Sequence, residues 1–135
     1  MIEIYTDDRL AYSKAFVFVM EQFVNTLKAG HSELSLCINN SMTVTYAVID
    51  NTVVGACVYE MDTVKRQAWI YTAAVEKLHR GCGIYDKIYK EVENVCRQNH
   101  MVVLNSNVHI DNQAMIQSAL KNNREMLWYR TRKYL

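Results

Sequence analysis

The stretch that most limits the fold of this chain is Ala73-Ala74-Val75-Glu76-Lys77-Leu78-His79-Arg80-Gly81-Cys82-Gly83-Ile84-Tyr85. Before it, Gln67–Val75 carries the β-branched and aromatic residues of a strand. After it, Ile84, Ile88, Val92, Val95 and Cys96 form one apolar stripe of a helix from about Gly83 to Gln98. The outer face of that helix sets Asp86 with Lys90, Lys87 with Glu91 and Glu93 with Arg97, all four residues apart. Between strand and helix lies a short basic loop with two glycines. The free N–H groups of a helix's first turn, at the positive end of its dipole, form an anion site. Glycine lets backbone approach an anion closely and adopt torsions closed to other residues. Lys77, His79 and Arg80 add positive potential. An ordinary tight turn uses the same glycines, but the strand and helix around them favour phosphate binding. Arg80 reads equally well as a phosphate contact or a solvated surface charge.

The rest of the chain supplies a sheet and helices around this junction. With 135 residues, one domain and one substantial core are expected. Met1–Tyr5 alternates weakly, as an edge strand does. Asp7 or Asp8 offers an N-cap for a long helix to about Lys28, with Leu10, Phe16, Phe23, Val24 and Leu27 at helical spacing and Gly30 as its stop. Residues 31–41 fit a strand or a short helix. Thr43–Ile49 and Val53–Met61 flank Asp50-Asn51, a hairpin turn, and a second turn near Thr63–Lys65 leads into Gln67–Val75. Met101–Leu104 reads as a buried strand, Asp111–Asn122 as a helix and Leu127–Leu135 as a last strand.

The bulk composition narrows the function classes. A net charge of +1 is not the footprint of a dedicated nucleic-acid binder. The basic and aromatic tail Tyr129–Tyr134 is accounted for equally well by an edge strand protected by charge. The longest apolar run, Ala15–Met20, is far shorter than the roughly 18 residues of a membrane-spanning helix. The acidic amino terminus is unlike a secretory signal, so a cytoplasmic protein is expected. Cys37, Cys57, Cys82 and Cys96 are scattered, with no metal-ligand spacing, and read as reduced and mostly buried thiols.

The junction at Arg80, Gly83 and Tyr85 resembles the R/Q-x-x-G-x-G/A signature of the GNAT superfamily of N-acetyltransferases. Asn107–Met115, a strand end followed by Asp-Asn-Gln-Ala-Met, resembles the family's next motif, with Asn112 at its recurrent asparagine. The resemblance is carried by residues 42–123 and implies an α/β fold, a mixed, mainly antiparallel sheet with helices on both faces. It implies acetyl-coenzyme A as co-substrate and an amine acceptor, small molecule or peptide, attacking the thioester directly. A homodimer is compatible with it. Its implied coenzyme-binding set is Ala73, Val75, Arg80, Gly81, Cys82, Gly83, Ile84, Tyr85 and Asn112, with the strand bulged so that free backbone groups pair with the pantetheine arm and a backbone N–H near Val75 polarises the thioester.

The departures from the family pattern are specific. Tyr85 stands where the family has Gly or Ala, and Asp86 puts a negative charge in the helix's first turn. The family's thiolate-protonating tyrosine falls on Ala119, its Gly-Phe on Asn123-Arg124, and no carboxylate lies on the strand before the motif. Candidate catalytic groups are therefore His109, Tyr71 and Glu60, each with a plainer reading as a loop, core or solvent-facing residue. Cys82 is expected to be no nucleophile, because transfer in this family is direct. Asn112 reads as the N-cap of its own helix and as a coenzyme contact. Set against an acetyltransferase is a second reading, a GNAT-like binding or structural module without activity.

Overall fold

The computed structural model describes residues 1–28, 38–106 and 113–125. Its sheet has five strands in the order β1-β2-β3-β4-β5: Ile2–Asp7, Thr43–Ile49, Thr52–Asp62, Gln67–Val75 and Val103–Ser106. The first three pairings are antiparallel and β4–β5 is parallel. The helices are α1 (Phe16–Lys28), α2 (Ile84–Gln98) and α3 (Gln113–Lys121). This is the expected mixed, mainly antiparallel α/β architecture. The Asp50-Asn51 turn is confirmed, because both residues have positive φ and join β2 to β3 as a two-residue hairpin loop.

The sheet is apolar on both faces. On one, Leu10, Ala15 and Val19 pack with Val44, Tyr46, Val48, Ala56 and Val58. On the other, Ile84, Ile88, Tyr89, Val92 and Cys96 of α2 pack with Ala47, Cys57, Tyr59, Ala68 and Ile70. Each fully buried Ile or Val contributes about 1.5–3 kcal/mol. The α2 stripe matches its expected face, with Tyr89 added and Val95 only partly buried. In the second layer Thr45 is fully buried, and its hydroxyl is satisfied by Tyr59 Oη at 2.8 Å and Thr6 Oγ1 at 2.7 Å.

Three expectations are corrected. The first helix does not begin at Asp7 or Asp8. Asp7 continues β1 opposite Val44, and Leu10 N–H and Ala11 N–H bond to Met42 and Asn40 carbonyls, so Leu10–Tyr12 makes a single 3₁₀ turn. Cross-strand pairing has overridden local helix propensity, and Ser13 Oγ accepts from Ala15 N–H just ahead of α1. The strand expected at Met101–Leu104 lies at Val103–Ser106, with Val102 and Val103 exposed and only Met101 buried. Of the α2 charge pairs, Glu93–Arg97 closes at 2.9 Å, while Asp86 turns away to α3. Gly30, the ambiguous stretch 31–37 and the expected strand Leu127–Leu135 lie outside the described residues.

One glycine fixes the spacing of α2 over the sheet. A Cβ at Gly55 of β3 would stand 3.0 Å from Ile88 Cδ1, and 3.3 Å from both Ala74 O and Ile84 Cγ2. Gly55→Val is therefore expected to destabilise the fold by about 1–3 kcal/mol by overpacking. Urea unfolding, with the midpoint lowered, is the check.

Candidate functional site

Between β4 and α2 the chain makes a 3₁₀ turn, Lys77–His79, and then two left-handed glycines, Gly81 at φ 81° and Gly83 at φ 77°. Glu76 holds the turn together: its carboxylate accepts from Leu78 N–H at 2.9 Å and meets His79 Nδ1 at 2.8 Å. The hydrogen bond from His79 keeps the Glu76 carboxyl below its ordinary value. Arg80 Nε donates to Val75 O at 3.0 Å, tying the loop to the strand end, while its exposed side chain reaches solvent. Cys82 is exposed at the tip of the turn, with Sγ 3.9 Å from Arg80 O. Cys57 and Cys96 are buried, and burial pushes their thiols up to about 12 and about 11.

Gly83 is the N-cap of α2 and has no side chain to cap with. The helical hydrogen bonds start with Lys87 N–H to Gly83 O at 3.2 Å. The N–H groups of Ile84, Tyr85 and Asp86 thus have no helical acceptor. A Cβ on Gly81 or Gly83 would meet nothing within 4 Å, so the space over the turn is open. The arrangement is an anion cradle of backbone donors at a helix's positive end.

The two departures closest to the turn point away from it. Tyr85 packs against the α2-side core and stacks on Tyr89, with ring centroids 6.2 Å apart. It leaves the loop mouth clear. Burial raises its phenol's pKa, and its buried Oη has no hydrogen-bond partner among the described residues. Asp86 is held by Lys121 Nζ at 2.9 Å and Asn122 Nδ2 at 3.4 Å, both at the end of α3. Its carboxylate is engaged at that seam. Lys121 first, then Asn122, keep its carboxyl below the usual aspartate value.

The edge of β4 continues the site. The β3–β4 register passes from Val58 opposite Thr72 to Tyr59 opposite Ile70, so Tyr71 is an extra, bulged residue. Among the described residues the β4–β5 ladder ends at Ile70 and Ser106. From the bulge to Val75, including Ala73, the outer edge of β4 has no strand partner among the described residues. That stretch spans about 13 Å. The bulge falls within the expected strand, but four residues before Val75. Tyr71 packs at the margin of the core under α1, as its plainer reading held. Glu60 is exposed on β3 opposite Trp69, next to the bulge. His109 and Asn112 lie outside the described residues.

One residue of the site has no counterpart in the sequence reading. Arg124 follows α3 through Asn123, whose φ of 60° is left-handed. Arg124 N–H bonds Ala119 O at 3.0 Å and Asn123 N–H bonds Leu120 O at 3.1 Å, a helix-ending pair. The Arg124 guanidinium lies 5.1 Å from the centroid of the Tyr89 ring and donates to Ser106 Oγ. The only sequence signal was its replacement of an aromatic residue at that place.

The comparisons with known proteins agree with this fold. The model of the acetyltransferase (GNAT) family matches residues 3–121. Among solved structures, an aminoglycoside acetyltransferase, meta-AAC0020, from an uncultured soil metagenomic sample in complex with trehalose has a TM-score of 0.76 at 14% identity, covering 99% of this chain and 96% of that one. A ribosomal-protein-alanine N-acetyltransferase from Brucella melitensis biovar Abortus 2308 has a TM-score of 0.71 at 14% identity, covering all of both chains. The aminoglycoside N-acetyltransferase AAC(6')-Iy in complex with CoA has a TM-score of 0.62 at 13% identity, covering 97% of this chain and 100% of that one. At such identities these structures establish the fold alone. No curated protein matches the sequence.

The α2–α3 seam yields a pH-dependent prediction. Because the folded-state pKa of Asp86 is lowered, its contribution is present above the usual aspartate range and is lost as pH falls through the lowered value. Asp86→Asn is expected to lose under about 1 kcal/mol at neutral pH, as a partly exposed ion pair does. The difference from wild type should shrink in acid, and urea midpoints taken across pH read it.

Proposed function

The chain belongs to the acetyltransferase (GNAT) family, which makes it an acetyl-CoA-dependent N-acetyltransferase; from that premise we propose that it binds the coenzyme pyrophosphate at residues 81–86 and passes the acetyl group to a primary amine. The observation that carries this reading is the uncapped start of α2 behind two left-handed glycines, beside a β4 edge with no strand partner among the described residues. The N–H groups of Gly81, Gly83, Ile84, Tyr85 and Asp86 supply backbone donors, and the free end of Arg80 supplies charge. The arm then runs along Ala73 and Val75 towards the bulge at Tyr71. A backbone N–H of this β4 segment polarises the thioester carbonyl, an oxyanion-type contribution.

The neutral amine attacks the carbonyl carbon, the C–N bond forms, the C–S bond breaks and the coenzyme leaves as thiolate. Water, or Glu60 through water, takes the ammonium proton, since Glu60 is the exposed carboxylate next to the bulge. The acceptor is a small-molecule or peptide amine. The related fold of an aminoglycoside acetyltransferase crystallised with sisomicin supports polyamino sugars as the first acceptors to try. No helix among the described residues is long and apolar enough to cross a membrane, and a cytoplasmic location is part of the proposal.

Acetyl-CoA should raise the melting temperature, by about 2.7 kcal/mol of stabilisation at a hundredfold excess over Kd. Gly83→Glu should abolish the shift, because it puts bulk and negative charge at the phosphates and strains a left-handed position. Absence of any shift for the wild type at millimolar coenzyme would refute the site. Cys82→Ala should keep thiol release from acetyl-CoA, assayed against sisomicin and alanine-ended peptides, within a few-fold of wild type. A trapped acyl-cysteine would contradict direct transfer.

A further inference from the structure

A charge sits at the inner end of this cleft, and nothing in the family signature or the coenzyme cradle accounts for it. Arg124 is half-buried, its guanidinium over the Tyr89 ring and bonded to Ser106 Oγ. Ser106 is the last described residue of β5 to pair with β4, opposite Ile70 and adjacent to the bulged Tyr71. The guanidinium is therefore held beside the last described β4–β5 pair. The ring it covers belongs to Tyr89, a buried residue of the layer between α2 and the sheet.

That charge has no anionic partner among the described residues. Two acids of α2 near Tyr89 in sequence are already engaged, Asp86 by Lys121 and Asn122, and Glu93 by Arg97. A partly desolvated cation without a counter-ion is costly unless a ligand supplies the charge. Tyr85 Oη, buried in the same layer, is also without a partner among the described residues. The backbone around Arg124 is set by the two hydrogen bonds that end α3, so the side chain is held from a rigid turn.

We propose that Arg124 is a catalytic residue, its guanidinium stabilising the thiolate of coenzyme A as the C–S bond breaks. The inference rests on the coenzyme site proposed above. With the pyrophosphate at the 81–86 turn, the arm follows about 13 Å of β4 edge that has no strand partner among the described residues, and its sulfur arrives beside Ile70 and Ser106, the last described β4–β5 pair. In the step, the amine lone pair forms the C–N bond and the C–S electron pair moves onto sulfur. The amine's proton goes to water, and the thiolate remains paired with the guanidinium until it takes a proton from water or leaves. Ala119, buried on α3, offers no proton to the sulfur, so a fixed positive charge takes the place of proton donation.

The direct test is the ionisation of the thiol of coenzyme A bound to the whole protein, followed by the ultraviolet absorbance of the thiolate across pH. The thiol of coenzyme A bound to wild type should ionise about one or more pH units below that of free coenzyme A. Arg124→Gln should lose that lowering, and Arg124→Lys, which keeps the charge, should retain most of it. In acetyl transfer to an amine, Arg124→Gln should lower kcat by on the order of a hundredfold with the KM for acetyl-CoA nearly unchanged. A purely structural arginine would change melting temperature without moving the thiol ionisation. If Arg124→Gln does not fold, the comparison of wild type with free coenzyme A still decides, since an unlowered thiol overturns the proposal. Coenzyme that binds and is turned over, with the same thiol ionisation in wild type and Arg124→Gln, overturns this inference alone. Failure of coenzyme A to bind at all overturns the coenzyme site with it.

Discussion

The seating of α2 on the sheet is the contact on which the rest of the molecule depends. Ile84 and Ile88 come down on Gly55, where β3 has no side chain, and the helix lies close enough for its first turn to meet the end of β4. Everything used for binding follows from that height. The uncapped N–H groups, the two left-handed glycines and the Arg80–Val75 tether all lie at the corner where helix and strand meet. A helix raised by one methyl group would carry its positive end away from the strand whose open edge it serves.

The same helix governs the second half of the site. Its outer acid, Asp86, ties to the end of α3, and its inner tyrosines, Tyr85 and Tyr89, form the surface on which Arg124 rests. The residues that looked like obstacles to an anion at the turn thus have jobs on other sides of the helix. Tyr85 fills the layer beneath α2, and Asp86 joins two helices. Position around a helix, more than residue type, decides what a side chain does to a ligand at its end.

What could be read from the sequence was local and periodic. The strand–turn–helix junction, the apolar stripe of Ile84, Ile88 and Val92, the Asp50-Asn51 hairpin and the left-handed Asn123 each follow from the chemistry of a few neighbouring residues. What failed required knowledge of distant partners. Asp7 is a good helix cap in isolation, yet it is held in β1 by Val44, far along the chain. Asp86 has a lysine four residues away, but Lys121 outcompetes it from another helix. The bulge at Tyr71 was expected in that strand, but its place depends on the register with β3, which no single strand reveals. Arg124 appeared only as a departure from an aromatic, because its partners, Tyr89 and Ser106, come from two other elements.

The central claim is that the backbone donors at the start of α2 hold the coenzyme's pyrophosphate. Amide chemical shifts of the isotopically labelled protein, titrated with coenzyme A, test it most directly. The account predicts the largest changes at Gly81, Gly83, Ile84, Tyr85 and Asp86, with smaller ones along Thr72–Val75. Saturable binding that moved only amides elsewhere, on α1 or the β1–β2 edge, would contradict it.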